Sequence, residues 1–226
     1  MRAVFLPGVF RPRSDTRLLA RVARAVPLQP GARVLELCAG PAIAGVTAAR
    51  GRALLTTVDV SRRAVFNAWL NARLNGVEVS ARRGDLWEAV AGERFDLVLA
   101  NPPYVPGPPP PERGAARAWD AGDDGRALLD RICSGVAAHL RPGGIVLLVH
   151  SELVGREATL GTLAEYGLGA DVAACEHGPL GPLVSARRGE LEARGILRPG
   201  QSSEDVFVLR GRAPTRRPTR WAIPTP

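Results

Sequence analysis

Four consecutive residues, Asn101, Pro102, Pro103 and Tyr104, are suited to holding a flat group that carries nitrogen. The two prolines fix the backbone and remove two N–H donors, so the carbonyl oxygens of Asn101 and Pro102 can point outward as acceptors. The amide oxygen of Asn101 adds a third acceptor, and Tyr104 adds an aromatic face for stacking. This combination predicts a site for a planar group with an NH2. The structural alternative is a rigid proline turn.

The chemistry that such a site favours is attack by the held nitrogen on an electrophile. Acceptors that engage both hydrogens of an NH2 raise the electron density on its nitrogen. Inverting transfer of a methyl group from a sulfonium would then need mainly in-line positioning, and it would need no histidine base. The four residues follow an apolar run at residues 95–100, which predicts that they lie just beyond the end of a buried strand.

A second candidate feature is the turn that follows the apolar run 33–37. Glu36 lies near the end of this run, and Cys38, Gly40 and Ala42 follow it before a helix that we predict to begin at Pro41. A strand, a tight turn and a helix N-terminus bring backbone N–H groups to one point, which suits a carboxylate or phosphate. The pattern G-x-G-x-x-G is not met, which disfavours NAD. By itself the segment fits a purely structural turn equally well.

Two aspartates extend this candidate site. Asp59 closes the second predicted strand, where nucleotide-binding sheets hold ribose hydroxyls with a carboxylate. Asp85, followed by Leu86, closes the third predicted strand. Because the carboxyl ends of parallel strands meet at one edge of a sheet, these acids should converge on one crevice. The alternatives are that Asp59 caps the next helix through Ser61 and that Asp85 is a turn residue.

The elements that must position these residues alternate along the chain. Short apolar runs separated by helical patterns predict an α/β fold with a mostly parallel sheet and crossover helices. The predicted strands are residues 33–37, 54–60, 77–81, 95–100, 145–149, 172–175 and 205–209. The predicted helices are residues 16–26, 61–75 and 125–140, with Ser14 or Asp15 as the N-cap of the first and the turn 141–144 after the last.

Three segments lie outside this pattern. Residues 105–124 hold five prolines and predict a semi-rigid surface loop. Residues 178–203, here called the insert, separate the last two strands and contain a possible helix near 184–194. Its arginines, Arg187, Arg188, Arg194 and Arg198, could line a substrate entrance, or the insert could be a solvated decoration. We expect one domain over residues 1–211 and a basic, proline-rich, disordered tail over residues 212–226.

Composition bounds the function classes. The chain has 226 residues, a mean hydropathy of −0.01 and a net charge of +8, and all of its basic residues are arginine. This composition predicts one soluble globular domain with no membrane span and no secretory signal. Five arginines between residues 210 and 220 carry much of the charge, which favours nucleic-acid binding only weakly. Three scattered cysteines without metal-ligand spacing indicate a reduced, cytoplasmic protein without a metal site.

In their order and spacing, the turn 36–42, Asp59, Asp85 and the motif 101–104 resemble class I amino-methyltransferases of the HemK type. Residues 10–16 resemble the cofactor-covering segment of the short, eukaryotic and archaeal-like branch. Residues 119–122 and 125–126 resemble the segment that follows the motif 101–104 in that branch; this motif is called the reaction motif below. The resemblance covers roughly residues 4–177 and 204–209. It implies a Rossmann-like seven-strand sheet whose last strand is antiparallel.

The resemblance also implies an activity and residue roles. The reaction would be S-adenosylmethionine-dependent N5-methylation of glutamine, typically in the Gly-Gly-Gln loop of a peptide-chain release factor. Asp59 would hold the ribose, Asp85 the adenine amine, and Glu36 with the turn backbone the methionine end. Asn101 and the Pro102 carbonyl would grip the substrate amide. The implied cofactor-binding set is Asp15, Thr16, Glu36, Cys38, Gly40, Asp59, Asp85, Leu86 and Asn101.

Departures and alternatives stay open at this point. The family turn has glycine where this chain has Cys38 and Ala42, and a side chain is tolerated there only if φ is negative. An RNA or DNA base with an exocyclic amine, adenine N6 or guanine N2, presents the same planar NH2 as a glutamine amide. A cofactor-binding scaffold without turnover is a third reading. Short-branch relatives often work with a small activator subunit that pairs along a sheet edge, and no residue here demands one.

Overall fold

The computed structural model describes residues 1–51, 53–109, 111 and 118–215. Its centre is a seven-stranded sheet in the order β3-β2-β1-β4-β5-β7-β6. The strands are β1 (Arg33–Leu37), β2 (Leu54–Asp59), β3 (Val79–Arg83), β4 (Phe95–Ala100), β5 (Leu140–Ser151), β6 (Gly169–Pro179) and β7 (Ser203–Arg212). The predicted α/β class and the seven-strand sheet are confirmed.

Helices flank the sheet in the described parts of the chain. They are α1 (Ser14–Arg24), α2 (Ile43–Ala49), α3 (Arg62–Leu74), α4 (Ala127–His139), α5 (Arg156–Glu165), α6 (Pro182–Ala186) and α7 (Arg188–Ala193), with 3₁₀ turns at Leu86–Val90 and Glu152–Val154. α1 is amphipathic because Leu18, Leu19 and Ala23 recur at helical spacing, and all three are buried.

Strand direction determines where the ends of the strands meet. β1 pairs in parallel with β2 and β4, and β4 pairs in parallel with β5. β7 is antiparallel to both β5 and β6, so β6 points the same way as the parallel strands. The carboxyl ends of β1 to β6 therefore lie at one edge of the sheet, and the insert leaves β6 at that edge. The predicted antiparallel last strand is confirmed.

Apolar side chains form three cores. Leu97 and Leu99 of β4 face one large core beneath α1 and α2, whereas Val98 and Ala100 face the other, beneath α4 and α5. This alternation is what a central strand covered on both faces requires. A third, smaller core joins the insert to the loop after the reaction motif. Its buried members are Val105, Leu180, Val184, Leu191 and Leu197.

Several predicted bounds were wrong for local reasons. β3 begins at Val79 instead of residue 77, because Val77 N still donates to Ala72 O at the end of α3. The N-cap of α1 is Arg13, which makes no side-chain cap, instead of Ser14 or Asp15. α2 begins at Ile43, after a left-handed Ala42, instead of at Pro41.

The later strands are longer than predicted. The turn expected at residues 141–144 is the irregular start of β5, where the register with β4 shifts and Gly143 has a φ of 75°. The insert holds two short helices, α6 and α7, in place of one. β7 runs past residue 211, and Ala213 N donates to Gly144 O at 2.9 Å, so the chain stays on the sheet beyond the predicted start of the tail. Residues 112–117 of the predicted loop and 216–226 of the predicted tail lie outside the described residues.

Within the described ranges, no helix combines the length and apolar character that crossing a bilayer would need.

Candidate active site

A cavity of about 750 Å³ opens at the carboxyl edge of the sheet. The structure brings every predicted site residue to its wall. These residues are Asp15, Thr16, Glu36, Cys38, Gly40, Asp59, Asp85, Leu86, Asn101, Pro102, Pro103 and Tyr104. They come from α1, from the ends of β1 to β4 and from the turns that follow them, which is the crevice where open α/β sheets bind ligands.

The N-terminus of α1 holds the motif 101–104 from one side. Asn101 Nδ2 donates to Thr16 Oγ1 at 3.0 Å, and the Tyr104 hydroxyl donates to Asp15 Oδ2 at 3.0 Å. Asp15 and Thr16 are both buried. Because the amide nitrogen of Asn101 is engaged by Thr16, its oxygen Oδ1 is the atom left to accept a hydrogen bond from a ligand. Two fixed contacts thus orient the acceptor and the aromatic ring together.

Tyr104 is held as a neutral phenol. Burial is the largest cause that raises its pKa well above 10, and the neighbouring carboxylates of Asp15 and Glu204 raise the pKa further. A neutral hydroxyl can continue to donate to Asp15 at any physiological pH. The ring is therefore anchored at its hydroxyl end by α1, while its other end follows the rigid Pro102 and Pro103.

The turn after β1 is strongly bent. Cys38 has a φ of 51°, Gly40 of 51° and Ala42 of 57°, so all three lie in the left-handed region that favours glycine. The condition under which side chains would be tolerated without strain, a negative φ, is therefore not met at Cys38 and Ala42. A Cβ built on Gly40 would meet no atom within 4 Å. The turn thus keeps a glycine-like backbone at two positions where the chain has side chains.

Glu36 lies beneath this turn and is 4% exposed. Its Oε2 accepts a hydrogen bond from Gly45 N of α2 at 2.7 Å. A Cβ on Gly45 would come within 2.5 Å of the same oxygen, so this position requires glycine. Burial raises the pKa of Glu36 to about 8, against the lowering effect of the backbone hydrogen bonds from Gly45 and Ala44. A pKa raised in this way favours the protonated carboxyl at neutral pH.

Asp59 performs two structural tasks at the end of β2. Its Oδ2 accepts from Gly40 N at 2.9 Å, which ties it to the turn, and its Oδ1 accepts from Ser61 N at 2.9 Å, at the start of α3. The two interpretations of Asp59, as a ligand-binding residue and as a residue that supports the start of the next helix through Ser61, are therefore compatible. Asp85 is partly exposed, and its Oδ2 accepts from Arg131 of α4 at 2.9 Å. Both carboxylates remain on the cavity wall.

The substrate side of the cavity contains residues outside the predicted catalytic and cofactor-binding sets. Glu176 and His177 at the end of β6, Leu183 and Val184 of α6, and Glu204 of β7 all line it. Glu204 is buried, and it joins three elements because it accepts from Gly181 N at 2.8 Å and from the Ser151 hydroxyl. A single acid ahead of an apolar run gave no sequence signal for this role.

The arginines of the insert have a different task from the one expected. None of Arg187, Arg188, Arg194 and Arg198 is among the residues that line the cavity. Arg187 forms an ion pair with the buried Asp120 and donates to Pro106 O at 3.3 Å, and Arg194 donates to Asp123 O. These contacts clamp the insert onto the loop that follows the reaction motif. The insert covers the cavity mainly with apolar residues instead.

The cavity fits a cofactor with a nucleoside and a polar chain. The bare backbone at Gly40 leaves room for close approach, and Asp59 and Asp85 supply carboxylate acceptors along one wall. Burial, and then the Asp59 and Asp85 carboxylates, raise the pKa of the Cys38 thiol far above its usual range, which disfavours the thiolate that a nucleophile needs.

The sheet order and this crevice define a Rossmann-like class I methyltransferase fold. Solved structures with that fold cover most of the chain. One is a chain of the E. cuniculi Mtq2–Trm112 complex, which is responsible for methylation of the eRF1 translation termination factor. The two chains are 22% identical, with a TM-score of 0.63, and the match covers 91% of this chain and 99% of the other. The T. thermophilus 16S rRNA methyltransferase RsmC, in complex with AdoMet and guanosine, is 20% identical with a TM-score of 0.61 over 92% of this chain and 46% of that one. At these identities the likeness shows the fold alone.

The sequence profile of the methyltransferase small domain family matches residues 3–167, so the chain belongs to that family and is an S-adenosylmethionine-dependent methyltransferase. A Methanocaldococcus jannaschii protein, provisionally named a protein N5-glutamine methyltransferase, is 33% identical over 74% of this chain and 85% of its own length. The release factor glutamine methyltransferase of Bordetella pertussis is 36% identical over 64% of this chain and 57% of its own length. The chain thus spans little more than half of such bacterial relatives, and its resemblance to glutamine methyltransferases is confirmed.

Proposed function

We propose that this protein methylates the N5 nitrogen of a glutamine side chain, in the Gly-Gly-Gln loop of a peptide-chain release factor. The observation that carries the proposal is the reaction motif 101–104 on the wall of the cavity, held to α1 by the Asn101–Thr16 and Tyr104–Asp15 hydrogen bonds. The names of the similar glutamine methyltransferases support the choice of an amide nitrogen. We expect the protein to work in the cytoplasm.

The proposed mechanism depends on orientation. S-adenosylmethionine, when bound, supplies a methyl group on a cationic sulfur. Asn101 Oδ1 and the Pro102 carbonyl accept the two hydrogens of the substrate amide, which fixes its plane and raises the electron density on its nitrogen. Pro102 and Pro103 keep these acceptors from rotating away, and Tyr104 provides the face against which the flat amide stacks.

The cofactor would lie along the wall formed by β1 to β3. We assign Asp59 to the ribose hydroxyls and Asp85 with Leu86 to the adenine, whose amine would share the Asp85 carboxylate with Arg131. The methionine end would lie near Glu36 and the backbone of Cys38 and Gly40. Asp15 and Thr16 would close the cavity between cofactor and substrate, because both line it and both hold the reaction motif.

The substrate would enter beside the insert. The third core, which contains Val105 from the loop and Val184, Leu191 and Leu197 from the insert, makes these two segments one unit. The Arg187–Asp120 ion pair fastens that unit. The wall it presents includes Trp119 and Leu183, which fits a narrow, glycine-rich peptide loop with little side-chain bulk.

An exocyclic amine of RNA or DNA is the second candidate substrate. The net charge of +8 and the arginine-rich residues after Gly211 favour it. A chemically equivalent NH2 would occupy the same acceptors. Protease and nuclease treatment of labelled product distinguishes the two substrate classes directly.

A small activator subunit is a further part of the proposal. β3 is an edge strand of the described sheet, and next to it α3 exposes Phe66 by 53% and Trp69 by 42%, stacked with ring centroids 5.7 Å apart. An activator strand pairing with β3 would cover these rings. Trp69→Ala should weaken such a complex in a pull-down from the source organism's extract without changing the fold.

The deciding experiment incubates the protein and labelled S-adenosylmethionine with purified release factor, and locates the label by peptide mass spectrometry. We expect label on the Gly-Gly-Gln glutamine. Asn101→Ala should lower turnover by at least about a hundredfold while cofactor affinity stays nearly unchanged. Asp59→Ala serves as the matched variant and should mainly weaken cofactor binding. Nuclease-sensitive label, or wild-type turnover in Asn101→Ala, would contradict the proposal.

A further inference from the structure

Two asparagines of α3, Asn67 and Asn71, and Asn75 at its C-cap bind the backbone at the start of the chain. They lie one helical turn apart, at positions 67, 71 and 75, so their side chains share one face of the helix. Asparagine is uncommon inside a helix, because it prefers to bond to nearby backbone. Asn67 and Asn71 are nevertheless fully buried. Buried amides must be hydrogen-bonded, and here their partners come from residues far away in sequence.

The partners form a regular ladder. Asn75 accepts from Arg2 N at 3.0 Å and donates to Arg2 O at 2.6 Å. Asn71 accepts from Val4 N at 2.8 Å and donates to Val4 O at 3.1 Å. Asn67 accepts from Leu6 N at 3.0 Å and donates to Val4 O at 2.8 Å. The backbone N–H and C=O of both Arg2 and Val4 are thus bonded to asparagine amides, as a neighbouring β-strand would bond them, whereas Leu6 is bonded through its N–H.

The segment clasped in this way leads straight into the cavity. We call residues 1–13 the strap. After Leu6 the strap turns, with Val9 N donating to Leu6 O at 3.1 Å, and its residues Gly8, Val9, Phe10, Pro12 and Arg13 line the cavity. It then enters α1, whose Asp15 and Thr16 hold the reaction motif. The strap and the start of α1, which form part of the cavity wall, are therefore bonded to the asparagines at one end and to the reaction motif at the other.

Asn71 also contacts the turn after β1. Its Nδ2 donates to Pro41 O at 2.9 Å, within the left-handed turn between Gly40 and Ala42. A single buried amide therefore joins the strap to the turn that faces the cofactor. If the strap detached, Asn67 would lose its bonds to Leu6 and Val4, and Asn71 would lose its two bonds to Val4, so the attached state is preferred.

We propose that Asn67, Asn71 and Asn75 are positioning residues for cofactor binding, which act by clasping the strap backbone so that it forms one wall of the cofactor cavity. The inference rests on the proposed location of S-adenosylmethionine in this cavity. None of the three asparagines is among the residues that line it, so their effect must pass through the strap and the turn.

The test is a double-mutant cycle in the full chain, with affinity for S-adenosylmethionine measured by titration calorimetry. Asn67→Ala removes the bonds to Leu6 N and Val4 O, and Leu6→Pro removes the Leu6 N–H at a partly exposed position. We expect Asn67→Ala to weaken affinity about tenfold, as the loss of two neutral hydrogen bonds implies. Adding Leu6→Pro to Asn67→Ala should change affinity little further, because the shared bond is already gone.

Thr159→Val controls for a general loss of stability, since Thr159 is a buried polar residue of α5 that bonds to His150 and Arg126. It should lower the melting temperature without weakening cofactor affinity. Hydrogen exchange of peptides 2–9 should rise in Asn67→Ala and fall again when cofactor is added. The proposal would be wrong if both single variants kept the wild-type affinity for S-adenosylmethionine, or if their losses of affinity were fully additive in the double variant. Absence of binding by the wild type would instead refute the cofactor site itself.

Discussion

The buried Glu36 makes the stability of this protein depend on pH in a direction opposite to that of an ordinary paired carboxylate. Its pKa is raised from 4.5 to about 8 because its carboxyl is buried beneath the turn. Below pH 4.5 the group is protonated in both the folded and the unfolded chain. As the pH rises from 4.5 to 8, only the unfolded chain ionises, so the folded state loses stability through this window.

The size of the loss follows from the two pKa values. The interval from 4.5 to about 8 corresponds to about 5 kcal/mol at ~1.4 kcal/mol per pH unit. Glu36→Gln keeps an oxygen that can accept from Gly45 N and removes the ionisation. The free energy of unfolding of Glu36→Gln should therefore exceed that of the wild type, by an amount that grows from pH 4.5 to pH 8. Urea denaturation of both proteins in steps of half a pH unit measures this difference.

The same residue links cofactor binding to proton release. At pH 7 a group with a pKa of about 8 carries about 0.9 proton. A cationic methionine end placed beside Glu36 would favour its ionised form and expel most of that proton. Calorimetric titration in buffers of different ionisation enthalpy should show this release in the wild type and not in Glu36→Gln. A stability difference that does not vary with pH, together with equal proton release in both proteins, would refute the reasoning.

Three further predictions concern groups outside the turn. His150 is buried, and its pKa is lowered to about 4. Between pH 6.5 and 4 the unfolded chain therefore binds a proton that the folded chain does not, and the folded state loses about 3 kcal/mol of stability. His150→Gln should remove this loss in acid denaturation curves. Tyr104→Phe leaves Asp15 Oδ2 without its phenol partner and should lower kcat about tenfold in steady-state assays, with a smaller effect on cofactor affinity. Arg187→Met should raise KM for the protein substrate several-fold while kcat and cofactor affinity stay constant, whereas the neighbouring Arg188→Met should change none of them.

The framework could be predicted from sequence where burial leaves an unmistakable pattern. β1 and β4 have the predicted bounds because both are short, mainly apolar segments covered on both faces. β6 and β7 extend well beyond their predicted cores, because their long antiparallel pairing continues through half-exposed residues such as Asp171 and Arg210, which form an ion pair. Pairing between distant strands is decided by tertiary structure, and local composition does not report it.

The candidate site divides in the same way. The positions of Asp59, Asp85 and the motif 101–104 followed from one rule, that the carboxyl ends of parallel strands converge. The role of Glu204 and the bonds of the three asparagines to the strap could not be predicted in this way. A single acid or amide has the same local sequence pattern whether it faces solvent or a remote backbone. The partners of Asn71, Val4 and Pro41, are brought to it only by the fold.

The left-handed turn shows why local preference fails at such a site. An L-residue in this conformation costs about 1 kcal/mol or more, so Cys38 and Ala42 argue locally against the geometry they adopt. The cost is offset by hydrogen bonds that reach the turn from several elements: Ala39 N donates to Val58 O of β2, Gly40 N to Asp59, and Asn71 of α3 donates to Pro41 O. Because these partners sit on rigid strands and helices, the backbone is fixed from outside. Glycine is then dispensable at positions 38 and 42, whereas Gly45, whose Cβ would strike Glu36 and Leu55, has no such substitute.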